Sequence, residues 1–378
     1  MAKTGKKNTE PLFHIIKQDT LGWKKPLVVR VIAVLAAMLL SSVIIVIFTK
    51  RNPLEVFEAL FIGAVGKNGN NLMDLLQKAA ILLCISLAVT PAFKMKFWNI
   101  GAEGQVLMGA LASAACMITL RGILPNWLLL VVIFVTGIIA GMIWAVIPAI
   151  FKVNWGANET LFTLMMNYCA MKIVAFFIVK WENPINSGKV GVINLRGEYR
   201  HVGWLPDLFG QPYVINILIV LGVMVLLHFY LKYSKQGFEI SVVGESENTA
   251  RYVGMDVKKI IIRTMAISGA ICGLAGVLLV SGTHHTIATN TAGGNGFTAV
   301  MVSWLSKFNP FIMAGVSFFI AFLEKGAGGV ATNTGLNASL ADIIIGIMLF
   351  FIIGCEFFLN YKIVINKKRA GSVKGGNE

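Results

Sequence analysis

Residues 97–109 read Phe-Trp-Asn-Ile-Gly-Ala-Glu-Gly-Gln-Val-Leu-Met-Gly and hold the densest set of polar groups inside an apolar context. Asn99, Glu103 and Gln105 lead into a hydrophobic run that continues to Leu120. A carboxylate carried into a bilayer costs roughly 2.5–3.5 kcal/mol on insertion scales unless it is paired or wetted. Glu103 therefore belongs to a solute or ion pathway, or to a buried helix–helix contact, and both readings stay open. Asn99 is of a type that caps a helix starting at Ile100, Trp98 suits a membrane–water interface, and Gly101 and Gly104 permit close backbone approach. Two more side chains join this set. Asn167 sits within an apolar run, and Asn295 lies in the break Gly293-Gly-Asn-Gly-Phe297. The plain alternatives are interhelical hydrogen bonding for Asn167 and a helix cap for Asn295. None of these groups forms an acid–base pair or nucleophile set, so transport is the chemistry they fit and a membrane-embedded transferase is not.

The elements that must position them are membrane spans. The 378 residues are 56% hydrophobic and 13% charged, against about 25% charged in soluble domains. Several apolar runs exceed the ~18 residues that mark a transmembrane helix. The net charge of +15 follows from Lys and Arg gathering on cytoplasmic loops. No basic stripe interleaved with aromatics accompanies it, which argues against a nucleic-acid partner and for membrane lipid. The five cysteines sit in apolar runs without a Cys-x-x-Cys spacing, and His284-His285 is the one histidine pair. No metal or other cofactor is expected from this pattern.

The expected fold is all-α and polytopic, with about ten membrane elements. Residues 1–27 form a cytoplasmic tail with a short interfacial helix near 12–18. Residues 28–360 form the transmembrane domain, and residues 361–378 a basic cytoplasmic tail, so both termini lie inside. Spans are expected at 28–49, 72–93, 99–120, 127–151, 161–179, 213–231 and 260–280, then at 309–323 and 337–359. Residues 50–71 and 180–212 are external, and residues 232–259 are internal. Residues 297–306 are too short to cross at 1.5 Å per residue and read as a broken or re-entrant helix. The glycine- and asparagine-rich breaks at 99–104 and 293–297 lie five elements apart, the spacing of two inverted five-span repeats. Gly137 and Gly141, and the stripe Ala266, Gly269, Gly273 and Gly276, provide small-residue packing faces.

The internal loop contains a second motif. Ser246 is a good N-cap with Glu247 in the first turn, and Gly254 is a good C′ residue. The two-turn helix between them, carrying Asn248, Ala250, Arg251 and Val253, cannot stand alone in water. It must dock on the protein's own span ends or on a cytoplasmic partner. Asp256 caps the next helix.

Here the sequence resembles a family. Phe97-Trp-Asn-Ile-Gly-Ala-Glu-Gly-Gln105 is similar to the signature of inner-membrane permeases of nucleoside and simple-sugar ABC importers. Gly156-Ala-Asn-Glu-Thr-Leu161 with Asn167-Tyr168 resembles a second family run. Gly237-Phe238, Val243-Gly244, Asn248, Ala250 and Gly254 resemble its coupling loop, and Gly296-Phe297 with Asn309-Pro310 its late motif. Thr249 and Trp304-Leu-Ser-Lys307 depart from the pattern. The resemblance covers about residues 70–360, and its nucleoside branch fits best. It implies a nucleoside substrate, with ribose-like sugars as the alternative. It also implies an extracytoplasmic substrate-binding (lipo)protein, a second homologous permease subunit, and an ATP-binding subunit that meets Gly244, Glu247, Asn248, Ala250, Arg251 and Gly254. The sequence has no Gly-x-x-x-x-Gly-Lys-Ser/Thr, so ATP would be bound in trans. A rival reading is an ion-coupled secondary transporter with Glu103 as the ion site.

Overall fold

The computed structural model describes residues 13–17, 24–50, 52–67, 69, 71–208, 210–334 and 338–365. Of the two expected tails, 1–27 and 361–378, residues 1–12, 18–23 and 366–378 lie outside the described residues. By internal contacts the chain divides into residues 1–63 with 327–378, and residues 64–326.

In the first unit, α1 (Lys24–Thr49) packs on α13 (Ala338–Asn360). The strand β1 (Phe13–Lys17) precedes α1, and β2 (Tyr361–Ile365) follows α13. They pair antiparallel, Phe13 opposite Ile365 and Lys17 opposite Tyr361. This corrects the interfacial helix expected near 12–18. Phe-His-Ile-Ile-Lys finds a β-branched partner in Tyr-Lys-Ile-Val-Ile, and such residues fit a pleated pair better than an isolated turn of helix.

Between the first two spans lies a helix the sequence did not announce, α2 (Pro53–Val65). Proline at its first position and Glu55 in its first turn favour a helix start. The segment 50–71, for which the sequence suggests an external placement, is therefore largely helical.

The second unit holds α3 (Leu72–Lys94), α4 (Ala102–Thr119), α5 (Asn126–Trp155), α6 (Glu159–Trp181) and α7 (Val214–Tyr233). Then follow α8 (Lys235–Glu245), α9 (Glu247–Tyr252), α10 (Val257–Leu279) with a π-helical turn at Val280–His284, and α11 (Asn295–Leu305). The helix α12 (Pro310–Thr334) runs across the division between the units and is eleven residues longer than the expected return span's end at 323. Among the described residues, eight helices are long and apolar enough to cross a membrane: α1, α3–α7, α10 and α12. With the short α11 and the apolar α13 they make up the ten elements expected.

The centre of this unit is α10, most of which is buried. Its small-residue face is what lets it sit there. A Cβ on Gly273 would collide with the Gly137 carbonyl, one on Gly141 with the Gly269 carbonyl, and one on Gly276 with the Val106 carbonyl. From α4, a Cβ on Gly109 would come within 2.5 Å of the Gly273 carbonyl oxygen. Backbone thus packs on backbone where α4, α5 and α10 cross. In a membrane such packing replaces the hydrophobic drive, because lipid is as apolar as the side chains.

Candidate functional site

The start of α4 is not where the sequence put it. Lys96 takes a left-handed φ of 60°, residues 97–101 run without helix, and the helix begins at Ala102 behind an N-cap Gly101. Asn99 is two residues too early to cap it in the usual way. Its Oδ1 instead accepts from the Gly101 N–H at 3.0 Å and from Gln105 Nε2 at 3.1 Å, and its Nδ2 reaches Ser268 Oγ of α10 at 3.3 Å. Thr163 and Asn167 of α6 staple the same segment. The Ile100 N–H donates to Thr163 Oγ1, the Gly104 N–H donates to Asn167 Oδ1 at 2.8 Å, and Asn167 Nδ2 donates to the Ile100 carbonyl at 2.9 Å. Unwound backbone inside a membrane protein is tolerable only when its polar groups are met this way.

Glu103 closes the arrangement. Its Oε1 accepts from the Gly294 N–H and its Oε2 from the Gly296 N–H, each at 2.8 Å. Those amides form the start of α11, where N–H groups lack intrahelical partners and the helix dipole favours a negative charge. Gly293 and Gly294 hold φ of 64° and 78° to turn the chain. Gly296 has no room for a Cβ, which would run into the Glu103 backbone nitrogen. Two short helix starts, one on each side, therefore meet at one buried carboxylate. Asn295 does not cap α11, since Gly294 holds that position; its side chain lines a cavity beside the junction. Of the five side chains expected here, Asn99, Gln105 and Asn167 are buried in the junction's framework, Glu103 bridges it, and Asn295 faces open space.

Sequence reasoning missed the far wall of that cavity. Gln77 and Lys78 of α3 and Glu324 and Lys325 of α12 line it. Adjacent charges within an apolar helix such as α12 are the signal that was there to read.

The internal loop is more structured than expected. Ser246 Oγ accepts from the Thr249 N–H to start α9, as its type predicts, and Asp256 accepts from Lys259 to start α10. The preceding residues form a further helix, α8, which docks on the chain itself. Gly244 lies so close to the Lys94 carbonyl at the end of α3 that no Cβ fits, and Glu239 pairs with Arg263 of α10 at 2.8 Å. Ala250 is buried, whereas Val253, included in the expected helix, is exposed and sits beyond the helix end. Glu247 and Arg251 stand exposed, 3.6 Å apart. Gly254 takes φ of 78° with open space around it.

A family model described as the permease component of branched-chain amino acid transport systems matches residues 71–353. The chain belongs to this permease family. Among its relatives is a glucose ABC transporter permease of Haloferax volcanii, 27% identical over 90% of this chain and 91% of the relative. A nucleoside ABC transporter permease of Lactococcus lactis is 26% identical over 87% of this chain and 91% of its own. A guanosine ABC transporter permease of Bacillus subtilis is 30% identical over 70% and 76%. The protein is thus a polytopic membrane permease, of a family of transporters rather than of enzymes.

At the opposite end of α10 the permease ties down its longest connection, residues 182–213. The Leu205 N–H donates to the Ser281 carbonyl, Ser281 Oγ donates to the Gly203 carbonyl, and the Ile193 N–H donates to the His285 carbonyl. Trp204 stacks on His285, the ring centroids 3.7 Å apart and the planes nearly parallel, and on His201 at 4.4 Å. Burial pushes the His285 imidazole down to about 4, helped by His201 and His284 and opposed by Asp207. The unfolded value is about 6.5. The neutral ring's contribution to stability is complete above pH 6.5 and is lost as pH falls through 4. The melting temperature of the purified permease should therefore drop between pH 6.5 and pH 4. His285→Phe keeps the stack without a titrating ring, and it should show a shallower drop; an identical pH profile would refute the assignment.

Proposed function

We propose that this permease is the membrane subunit of an ABC importer for nucleosides. An ATPase subunit binds α9 from the cytoplasm, a second related permease subunit completes the pore, and an extracytoplasmic binding protein delivers the substrate. The observation that carries this reading is the coupling unit. Two short helices, α8 and α9, are braced on α3 and α10 yet leave Glu247, Arg251 and the Gly254 turn exposed. The second of them leads within five residues into α10, the helix packed through glycines on both α4 and α5. A push on α9 would thus reach the Glu103 junction through rigid, close-packed elements. The cytoplasmic placement of both termini is supported by the β1–β2 pairing together with the Lys and Arg bias of the loops. The nucleoside and guanosine transporters among the relatives favour a nucleoside, while the glucose transporter keeps a simple sugar as the second reading.

The test is ATP-driven uptake of radiolabelled guanosine by proteoliposomes holding the complex that copurifies with the tagged permease. Proline cannot adopt a positive φ, so Gly254→Pro breaks the turn after α9. Arg251→Glu sets two carboxylates side by side on an exposed face. Both should abolish uptake while membrane insertion and protein amount stay at wild-type levels. Wild-type uptake in both variants would discard the coupling role. Accumulation by the lone subunit on an Na⁺ or H⁺ gradient would favour the secondary transporter.

A further inference from the structure

Where α4 and α6 end, a cavity of about 410 Å³ opens beside the long connection 182–213. Arg121, two residues past the end of α4, and Arg196 of the connection line it, together with Ile118, Trp181, Val192 and Leu195. The wall behind them is pinned. Asn194 is buried, and its Nδ2 donates to the Met117 carbonyl of α4 at 3.1 Å and to the Val202 carbonyl at 2.8 Å. Trp204 Nε1 donates to the Ile193 carbonyl at 2.9 Å. Ile193 and Asn194 are thus turned inward, while Val192 and Leu195 stand 44% and 43% exposed beside Arg196. The groups that hold Arg121 are uncharged. Its Nη1 donates to Asn194 Oδ1 at 3.4 Å, and its guanidinium lies 5.9 Å from the centre of the Tyr199 ring. Among the described residues neither arginine has an ion pair, and no Asp or Glu lines the cavity. Glu182, next to the cavity wall at Asn183, accepts instead from the Asn186 and Gly188 N–H groups.

The level of the cavity in the membrane says what matches this charge. Phe176 and Val179, on the last turns of α6, are exposed, as apolar side chains are where a span meets lipid. Trp181 is the last residue of α6, and tryptophan gathers at the headgroup level. The two arginines therefore stand where the bilayer's phosphates lie, and a guanidinium fork matches phosphate oxygens in a bidentate way. We infer that this cavity holds the headgroup of an anionic phospholipid, its phosphodiester bonded by Arg121 and Arg196 and its acyl chains running past Ile118 and the end of α6. The inference does not depend on which solute the permease carries. A soluble phosphate shares the phosphate chemistry but makes no use of the exposed Val192 and Leu195. An acidic side chain of a docking protein would meet the arginines but leave Ile118 and Trp181, at bilayer level, without a role.

The experiment titrates the purified full-length permease in detergent with phosphatidylglycerol or phosphatidylcholine and counts bound lipid by native mass spectrometry. Phosphatidylglycerol should bind at least tenfold more tightly. A basic residue near an anionic lipid surface contributes about 1 kcal/mol, which is roughly fivefold in affinity. Arg121→Gln and Arg196→Gln should each weaken phosphatidylglycerol by about that factor and leave phosphatidylcholine within a factor of two. Arg121 also contacts Asn194 and Tyr199, so the exposed Arg196 supplies the variant that keeps the test open if Arg121→Gln does not fold. Inorganic phosphate and glycerophosphoglycerol, the headgroup without its acyl chains, are added as competitors equimolar with the lipid and should displace almost none of it. Displacement of half the lipid by either would make this a site for a soluble phosphate and overturn the lipid assignment. Equal affinity for the two lipids, or unchanged phosphatidylglycerol binding in Arg196→Gln, overturns it too. So does an Arg196→Gln permease that keeps its lipid but loses a protein copurifying with wild type, which would make this face a protein-docking surface.

Discussion

Glu103→Ala should lower uptake by the intact complex at least tenfold without reducing insertion of the permease. The carboxylate accepts two backbone N–H bonds from the start of α11, and charge-assisted bonds of this kind contribute about 1.5–3 kcal/mol each. Alanine leaves both amides buried and unmet, so the two helix starts lose what holds them together. Glu103→Gln separates charge from contact. It keeps one acceptor but turns an NH₂ toward the second amide, and it should fall between alanine and wild type. Glu103→Asp keeps the charge one methylene short. Uptake measured across this series reads the contribution of the bridge. Wild-type transport by the alanine variant would mean that the junction is static packing and no part of the moving gate.

The second large effect concerns folding. Gly273→Leu should prevent accumulation of a monodisperse permease in detergent. The added side chain meets the Gly137 carbonyl and the Ile138 Cα of α5, and the Gly273 carbonyl already lies against Gly109 of α4. Those neighbours are backbone, which cannot rotate aside as a side chain can. Overpacking of ordinary cores costs about 1–3 kcal/mol, and forcing three helices apart at one crossing should exceed that range. Gly222→Leu is the control, since a Cβ there meets nothing within 4 Å. Fluorescence-detected size exclusion should give a normal peak for Gly222→Leu and an aggregated or absent one for Gly273→Leu. Equal peaks would show that the α4–α5–α10 crossing can open without harm.

Both effects are half legible in the sequence. Glu103 stood out because a carboxylate inside an apolar run is costly. Its partners did not, because Gly294 and Gly296 offer only backbone N–H groups, which every residue possesses and no sequence advertises. The glycine stripe on α10 was plain at a spacing of three to four residues, but that it faces both Gly109 and the Gly137–Gly141 pair is a fact of the crossing. Asn99 misled in a different way. Its type suits a cap, yet the helix waits until Ala102, because Thr163 and Asn167, more than sixty residues away, satisfy the unwound backbone better than an early helix would. The cavity wall was missed for the same reason, since Lys78 and Glu324 become a neutral pair only when α3 and α12 stand side by side.

The sequence by itself determined the membrane class, the order of spans, the broken helix near 295 and the short helix after Ser246. These follow from hydrophobic run length, glycine breaks and capping residues, all of them local physics. The tertiary structure decided where α4 begins, which amides hold Glu103 and which charges cancel across the cavity. Inside a bilayer every polar group needs a partner, and only the packed chain specifies which distant group that partner is.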